Sequence, residues 1–277
     1  MGENERRDEI VPLDLLGGGA GVRLTAKIDR RLMIVWVGLH DPPEACIASW
    51  RDAHPSWEFT LVGTHEGWAN QHIIDAIIAA ESARGADWGA AVCDVIRWEL
   101  LSSSRGGIVV DADSTCRRAL DAQNAPDELQ VDLFDHEAWV VAESETKAPG
   151  RVATHAMGAA PRSAVFARCV EEVSQLDVAS VPQGRMREFV GAGLLNRICK
   201  EFIEAGALHV LPSKLFVPTH WSGSVAPDVS VPGGGVRTPI YAEQGYGYRK
   251  GYNHLRRWPC QCAKCRLDFG TLMAPWM

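Results

Sequence analysis

The stretch from Ala90 to Ser114, AAVCDVIRWELLSSSRGGIVVDADS, constrains this chain more than any other. Val92, Ile96 and Leu100 recur at helical spacing as one apolar stripe. Asp94, Arg97, Trp98 and Leu101 share another face at i, i+3, i+4 and i+7. Gly106-Gly107 ends the helix, and Ile108-Val109-Val110 reads as a short buried strand. Asp111 and Asp113 follow at once. A helix joined by a glycine turn to a buried strand is a unit of an open α/β sheet, whose carboxyl edge is the usual place for a ligand. In an extended chain, residues two apart point to one face, so the two carboxylates are expected to converge there. Hard oxygen ligands of this kind suit Mg²⁺ or Mn²⁺, which also take phosphate oxygens and water. Alone, two aspartates at a strand end are better read as a solvated loop. Asp94 and Arg97 on an exposed face would form an ion pair worth only about 0.3–0.5 kcal/mol.

The rest of the chain keeps the α/β alternation. Arg31 to Gly38 (RLMIVWVG) suits a buried first strand, and Pro42-Pro43 opens a helix over residues 44–53. Trp57 to Val62 reads as a strand, and 70–84 and 90–103 read as helices. Further on, 138–142 suggests a strand, 164–176 and 190–205 suggest helices, and 209–216 a short strand interrupted by Pro212. Residues 222–239, rich in Gly, Pro, Ser and Val without a period, read as a long loop. The glycines at 17–21 miss the G-x-G-x-x-G dinucleotide spacing, because Val22 stands where the third glycine belongs. The expected organisation is a lead-in over 1–30, a catalytic-type domain over 31–225, and an extension over 226–277.

Charge and cysteine usage divide the chain. Six basic residues and no acid lie between Arg249 and Arg266, leaving 22 of the 28 basic residues to face all 35 acidic ones elsewhere. An acidic body with a basic tail can attract a polyanion. Five of the eight cysteines are scattered through apparent core elements, as buried thiols are. With no apolar leader and no run long enough to cross a bilayer, the expected compartment is a reducing cytoplasm. The other three cysteines, Cys260, Cys262 and Cys265, join His254 as four candidate ligands for a structural Zn²⁺. Free thiols or a tail disulfide are the alternatives.

The central segment resembles the pattern A-A-x-S-D-x-x-R-x-x-x-L-x-x-x-G-G-x-Y-x-D-x-D of retaining glycosyltransferases of the DXD sugar-binding type. That group includes Golgi mannosyltransferases and bacterial capsule enzymes, with the glucosylating toxins as relatives. Ala90, Ala91, Asp94, Arg97, Leu101, Gly106, Gly107, Asp111 and Asp113 match; Cys93 replaces the usual serine, and a valine stands where an aromatic is common. RLMIVWVG is similar to the family's I-H-x-I-W-x-G strand without its histidine. Ser49, Trp50, Pro55 and Trp57 match a structural helix and strand. Residues 156–159 resemble an F-M-G-A segment and 191–195 a G-P-G-x-L helix start. His220, Trp221, Gly223 and Ser224 match the closing H-H-W-A-G-S. The resemblance spans residues 31–225.

The resemblance implies a GT-A-type fold: a single Rossmann-like mixed sheet flanked by helices, here with a small Cys-rich C-terminal extension. It implies a UDP- or GDP-sugar donor and Mn²⁺ or Mg²⁺ held by Asp111, Asp113 and His220. Trp36 would stack on the base; its other reading is a core aromatic. Asp94 would accept sugar hydroxyls, and Arg97 would reach sugar or phosphate oxygens. Gly107, Trp221 and Ser224 would complete the donor site. His220 beside Trp221 also suits a buried packing pair. With no evident covalent nucleophile, front-face attack is expected, the leaving phosphate acting as base. The resemblance implies a glycan, a lipid-linked saccharide or a protein as acceptor. A hydroxylated base in DNA is the alternative the basic tail suggests. A non-catalytic binding protein for nucleic acid or sugar nucleotides is the reading from another class.

Overall fold

The computed structural model describes residues 27–231 and 234–245. The segment after Gly106 lies in the middle of a six-stranded sheet. Its strands are β1 (Arg31–Val35), β2 (Glu58–Val62), β3 (Gly107–Val110), β5 (Ala138–Ser144), β6 (Ala148–Ala159) and β7 (His209–Leu211). The spatial order is β2-β1-β3-β6-β5-β7. Strand β1 runs parallel to both β2 and β3, and β5 runs parallel to β7. Strand β6 pairs antiparallel with β3 on one side and β5 on the other, which makes the sheet mixed. The helices are α1 (Glu44–Ala53), α2 (Gln71–Ala83), α3 (Gly89–Ser102), α4 (Ala164–Ser174), α5 (Met186–Val190) and α6 (Ala192–Glu204).

Alternation along the central strands feeds two cores. Met33, Val35 and Val109 face one core, with Ile74, Trp98, Phe166 and Leu195. Leu32, Ile34, Ile108 and Val110 face the other, with Trp50, Trp139, Phe216 and Tyr241. A sheet covered on both faces needs apolar residues at successive positions, so its inner strands read as continuous apolar runs. Among the described residues, no helix is long and apolar enough to cross a membrane.

Three features depart from the sequence expectations. The helix expected over 190–205 is α6, but a further short helix, α5, precedes it and meets it at Gly191, where any Cβ would collide with the Asp94 carboxylate. Strand β6 is absent from the sequence reading because APGRVATHAMGA has Pro and Gly and no period of two. The segment expected to be a loop and a separate extension returns to the body. After the two-residue pair β8 (Ser230–Val231) and β9 (Gly234–Gly235), β10 (Ala242–Gln244) pairs with β4 (Ser114–Cys116). Tyr241 is buried against Phe216, and its N–H donates to the Leu215 carbonyl (2.7 Å). The packing of the described residues thus runs on to 245, past the boundary expected at 225. His254, Cys260, Cys262, Cys265 and the basic run lie outside the described residues.

Gly158 shows how tightly the second core is built. It sits opposite Trp139 on the adjoining strand, and a Cβ there would overlap the indole. Trp139 is fully buried, donates to the Leu133 carbonyl (2.9 Å) and stacks on Phe216. Gly158→Ala is therefore expected to cost about 1–3 kcal/mol through overpacking. A lowered urea midpoint with an unchanged slope would record it.

Candidate functional site

A cavity of ≈ 290 Å³ opens at the carboxyl ends of β1 and β3. Its first wall is the run Val35 to His40 with the start of α3; its second is the β5–β6 hairpin with α5 and the start of α6. Gly89 lets α3 approach β1, since a Cβ there would lie 2.6 Å from the Val37 carbonyl oxygen. Trp36 lies on the first wall, partly exposed, its Nε1 donating to the His40 carbonyl (2.9 Å). Cys93 is held by burial as a neutral thiol, pushed up to about 11, and its Sγ donates to the Val35 carbonyl (3.7 Å). The thiol thus meets a hydrogen-bonding demand that a serine hydroxyl also meets.

The floor is an ionic network built on the buried pair Asp94 and Arg97. Arg97 Nη1 donates to Asp94 Oδ1 (3.2 Å), and Nη2 pairs with Asp111 Oδ1 (2.5 Å). His155 Nδ1 donates to Asp111 Oδ2 (2.8 Å), and Arg187 Nε donates to Asp94 Oδ2 (3.2 Å). Burial works against the charge on Arg97, but the Asp111 and Asp94 carboxylates outweigh it and hold the guanidinium above its ordinary value. Burial likewise opposes ionisation of Asp111, yet Arg97, and then His155 and Arg187, draw its carboxyl down to about 2.

Sequence reasoning gave Asp94 direct contact with sugar hydroxyls. The structure places it elsewhere: its side chain is 0% exposed, enclosed by Arg97, Arg187 and the Gly191 backbone, and it is absent from the cavity wall. Asp94 therefore anchors two guanidiniums from below, and its pair with Arg97 is a buried one. Asp111 and Asp113 both reach the cavity, though by another route than a shared strand face. Strand β3 ends at Val110, and residues 111–114 form a turn, closed by Ser114 N–H donating to the Asp111 carbonyl (3.1 Å). Ser114 Oγ donates to the same carbonyl (2.6 Å) and accepts from Trp50 Nε1 (3.0 Å), tying the turn to α1.

Gly107 begins β3, at the end of the strand away from Asp111. Its φ of +123° and its approach to the Arg31 carbonyl require glycine, and it does not line the cavity. Trp221 lines the cavity, whereas Ser224 and His220 belong to the turn beneath it. His220 N–H donates to the Ser224 carbonyl (2.8 Å), and Gly223 adopts φ +88°. His220 Nδ1 accepts from the Ser222 N–H (3.3 Å). Its Nε2 is buried without a hydrogen-bond partner, 3.8 Å from Glu143 Oε1. The expected metal trio of Asp111, Asp113 and His220 does not assemble: both Asp111 oxygens are engaged, and His220 faces Glu143. Among the described residues, no three His, Cys, Asp or Glu side chains converge as a metal site. Asp113 remains as the carboxylate that fits a divalent cation, since Mg²⁺ is commonly held by one or two carboxylates plus substrate phosphates and water.

Sequence reasoning passed over His155, Arg187, Glu143 and Arg151, all of which line the cavity. His155 directly precedes the A-M-G-A segment and Arg187 lies four residues before the Gly191 helix start; nothing in their spacing marks them. The buried donors Arg97 Nε and Gln244 Nε2 also lack hydrogen-bond partners, and both residues line the cavity. Buried donors without acceptors are costly, so a wall that carries them suits a ligand rich in oxygen.

No protein-family model and no curated protein matches the chain. Among solved structures it is similar to the PaToxG glycosyltransferase, at 12% identity and a TM-score of 0.47 over 65% of this chain and 71% of that one. It is also similar to a glycosyltransferase involved in glycosylation of the major capsid of PBCV-1, at 10% identity and a TM-score of 0.39 over 82% of this chain and 99% of that one.

Proposed function

We propose that the chain is a retaining glycosyltransferase that takes its sugar from a UDP- or GDP-sugar. The observation that carries this reading is Arg97, a buried guanidinium fixed by Asp94 and Asp111 on the floor of a cavity at the carboxyl edge of β1 and β3. The Asp94, Arg97, Asp111 and Asp113 pattern of the DXD family supports it. So do buried donors with no acceptor of their own.

The donor lies with its base against Trp36 and its diphosphate towards Asp113. Asp113 and the donor phosphates would together hold Mn²⁺ or Mg²⁺, which when bound neutralises charge on the leaving diphosphate. Arg97 presents a preorganised positive charge to sugar and phosphate oxygens, and its two carboxylate anchors remove the need for it to reorganise as charge develops. Asp111, shared between Arg97 and His155, sets the orientation of both. In the transfer step the acceptor oxygen bonds to the anomeric carbon while the bond from that carbon to the diphosphate oxygen breaks. The acceptor's proton passes to that departing oxygen.

The test is a panel of UDP- and GDP-sugars, with and without Mn²⁺ or Mg²⁺, followed by release of free nucleotide. One donor is expected to turn over, and a chelator is expected to suppress it. If no sugar nucleotide in the panel is either hydrolysed or bound, the reading is wrong.

A further inference from the structure

Resting on that transferase reading, we propose that Glu143 and Arg151 form the acceptor-hydroxyl clamp and that the acceptor is a neutral saccharide. The argument begins with irregularities in the β5–β6 hairpin. The pairing of β5 with β6 shifts register twice, between Val140 and Val141 and between Ala142 and Ser144. The first shift releases Thr154 and His155 towards the cavity, and the second releases Glu143; all three line it. Bulges of this kind re-aim side chains beside functional sites. The start of the hairpin's return strand is fixed from outside the sheet. Asn196 on α6 accepts from the Val152 N–H (2.9 Å) and donates to the Val152 carbonyl (2.8 Å), standing in for a neighbouring strand.

Arg151, next to that anchored residue, pairs through Nε with Glu143 Oε2 (3.2 Å). Both residues line the cavity on its second wall, away from Trp36. A carboxylate beside a guanidinium offers an acceptor for one hydroxyl and donors for the next, the demand made by two adjacent hydroxyls on a sugar ring. Trp221, 44% exposed on the same cavity, adds an aromatic face of the kind a ring's C–H surface packs on. Five carboxylates against three guanidiniums line the cavity. With Arg97 and a cation at Asp113 assigned to the donor diphosphate, that balance leaves no surplus positive charge for a polyanion such as nucleic acid, which is bound chiefly through phosphate neutralisation.

The experiment uses the full chain with the donor found by nucleotide release, and methyl glycosides of the common neutral hexoses as acceptor probes. A DNA duplex carrying hydroxymethylated bases is the competing probe. A glycoside is expected to raise nucleotide release saturably above hydrolysis and to yield a glycosylated product. In Glu143→Gln the acceptor KM is expected to rise about tenfold more than the donor KM, and the ratio of transfer to hydrolysis to fall about tenfold, as loss of a charged hydrogen bond predicts. Arg151→Ala should move the same ratio in the same direction. The clamp is overturned if no glycoside stimulates release, if the DNA duplex alone is modified, or if both variants leave the ratio unchanged. If the wild-type chain releases no nucleotide from any donor, the transferase reading fails and the clamp fails with it. That outcome is distinct from all the others.

Discussion

Arg97→Ala is expected to cost the protein about 3–5 kcal/mol of stability and to lower nucleotide release roughly a hundred- to a thousandfold. The stability loss follows from what the substitution strands. Asp94 is wholly buried and Asp111 partly so, and Arg97 bridges them from the middle of α3. Removing it leaves Asp94 the Arg187 contact, and Asp111 the His155 hydrogen bond and the more distant charge of Arg187. An unneutralised carboxylate in such a place either draws in water or takes up a proton, and each costs folding free energy. Arg97→Lys separates the two effects. A lysine restores a positive charge but has no planar fork to serve two carboxylates at once, so stability should recover in part while release stays low. Urea unfolding of all three proteins beside nucleotide-release assays makes the comparison. An alanine variant as stable as the wild type would show that the network does not bear on folding.

The half of the site nearest α3 was legible because its residues are neighbours in the chain. Asp94 and Arg97 are three apart on one helix, and Asp111 and Asp113 follow the next strand, so local spacing brings them together wherever the strand lies in the sheet. What spacing could not give is depth. The i, i+3 pattern on α3 is the same whether the pair faces solvent or the interior; only the packing of Gly191 and Arg187 over Asp94 decides it. The Asp-x-Asp geometry fails for a related reason. The extended chain assumed for residues 111–113 yields to a turn because Ser114 bonds back to Asp111 and Trp50 reaches the turn from α1, 64 residues earlier.

The opposite wall was out of reach. Glu143, His155 and Arg187 come from three elements and meet across the β5–β6 shifts, and a register shift leaves no mark in composition or periodicity. Strand β6 itself was hidden for the same reason it is useful. A Pro- and Gly-bearing, non-alternating strand between two others can be paired on both edges and still release His155 into the cavity. The helices α1 to α4 and the outer strand β2 posed no such difficulty, as α1 shows: Pro42-Pro43 before an amphipathic run marks its start.

Asp113→Ala should have the reverse profile to Arg97→Ala, with nucleotide release lost roughly a thousandfold and stability changed by about 1 kcal/mol or less. Asp113 sits at the crest of the 111–114 turn, partly exposed on the cavity. The Gly245 N–H donates to the Asp113 carbonyl (2.8 Å), a backbone contact that ties this point to the body and that an alanine keeps. What is removed is the one carboxylate of the Asp-x-Asp pair not shared between Arg97 and His155. Asp113→Asn tests whether charge or shape matters. It keeps the size and polarity of the side chain, yet should fall nearly as far as alanine if the group's task is to hold a divalent cation against a diphosphate, because a neutral amide oxygen holds the cation more weakly than a charged carboxylate. Isothermal titration of Mn²⁺ with UDP or GDP reads the same point without turnover: the wild type should bind nucleotide more tightly with the metal than without, and both variants should lose that difference. Full release by Asp113→Ala in the presence of Mn²⁺ would move the diphosphate away from this turn and leave Arg97 as its anchor.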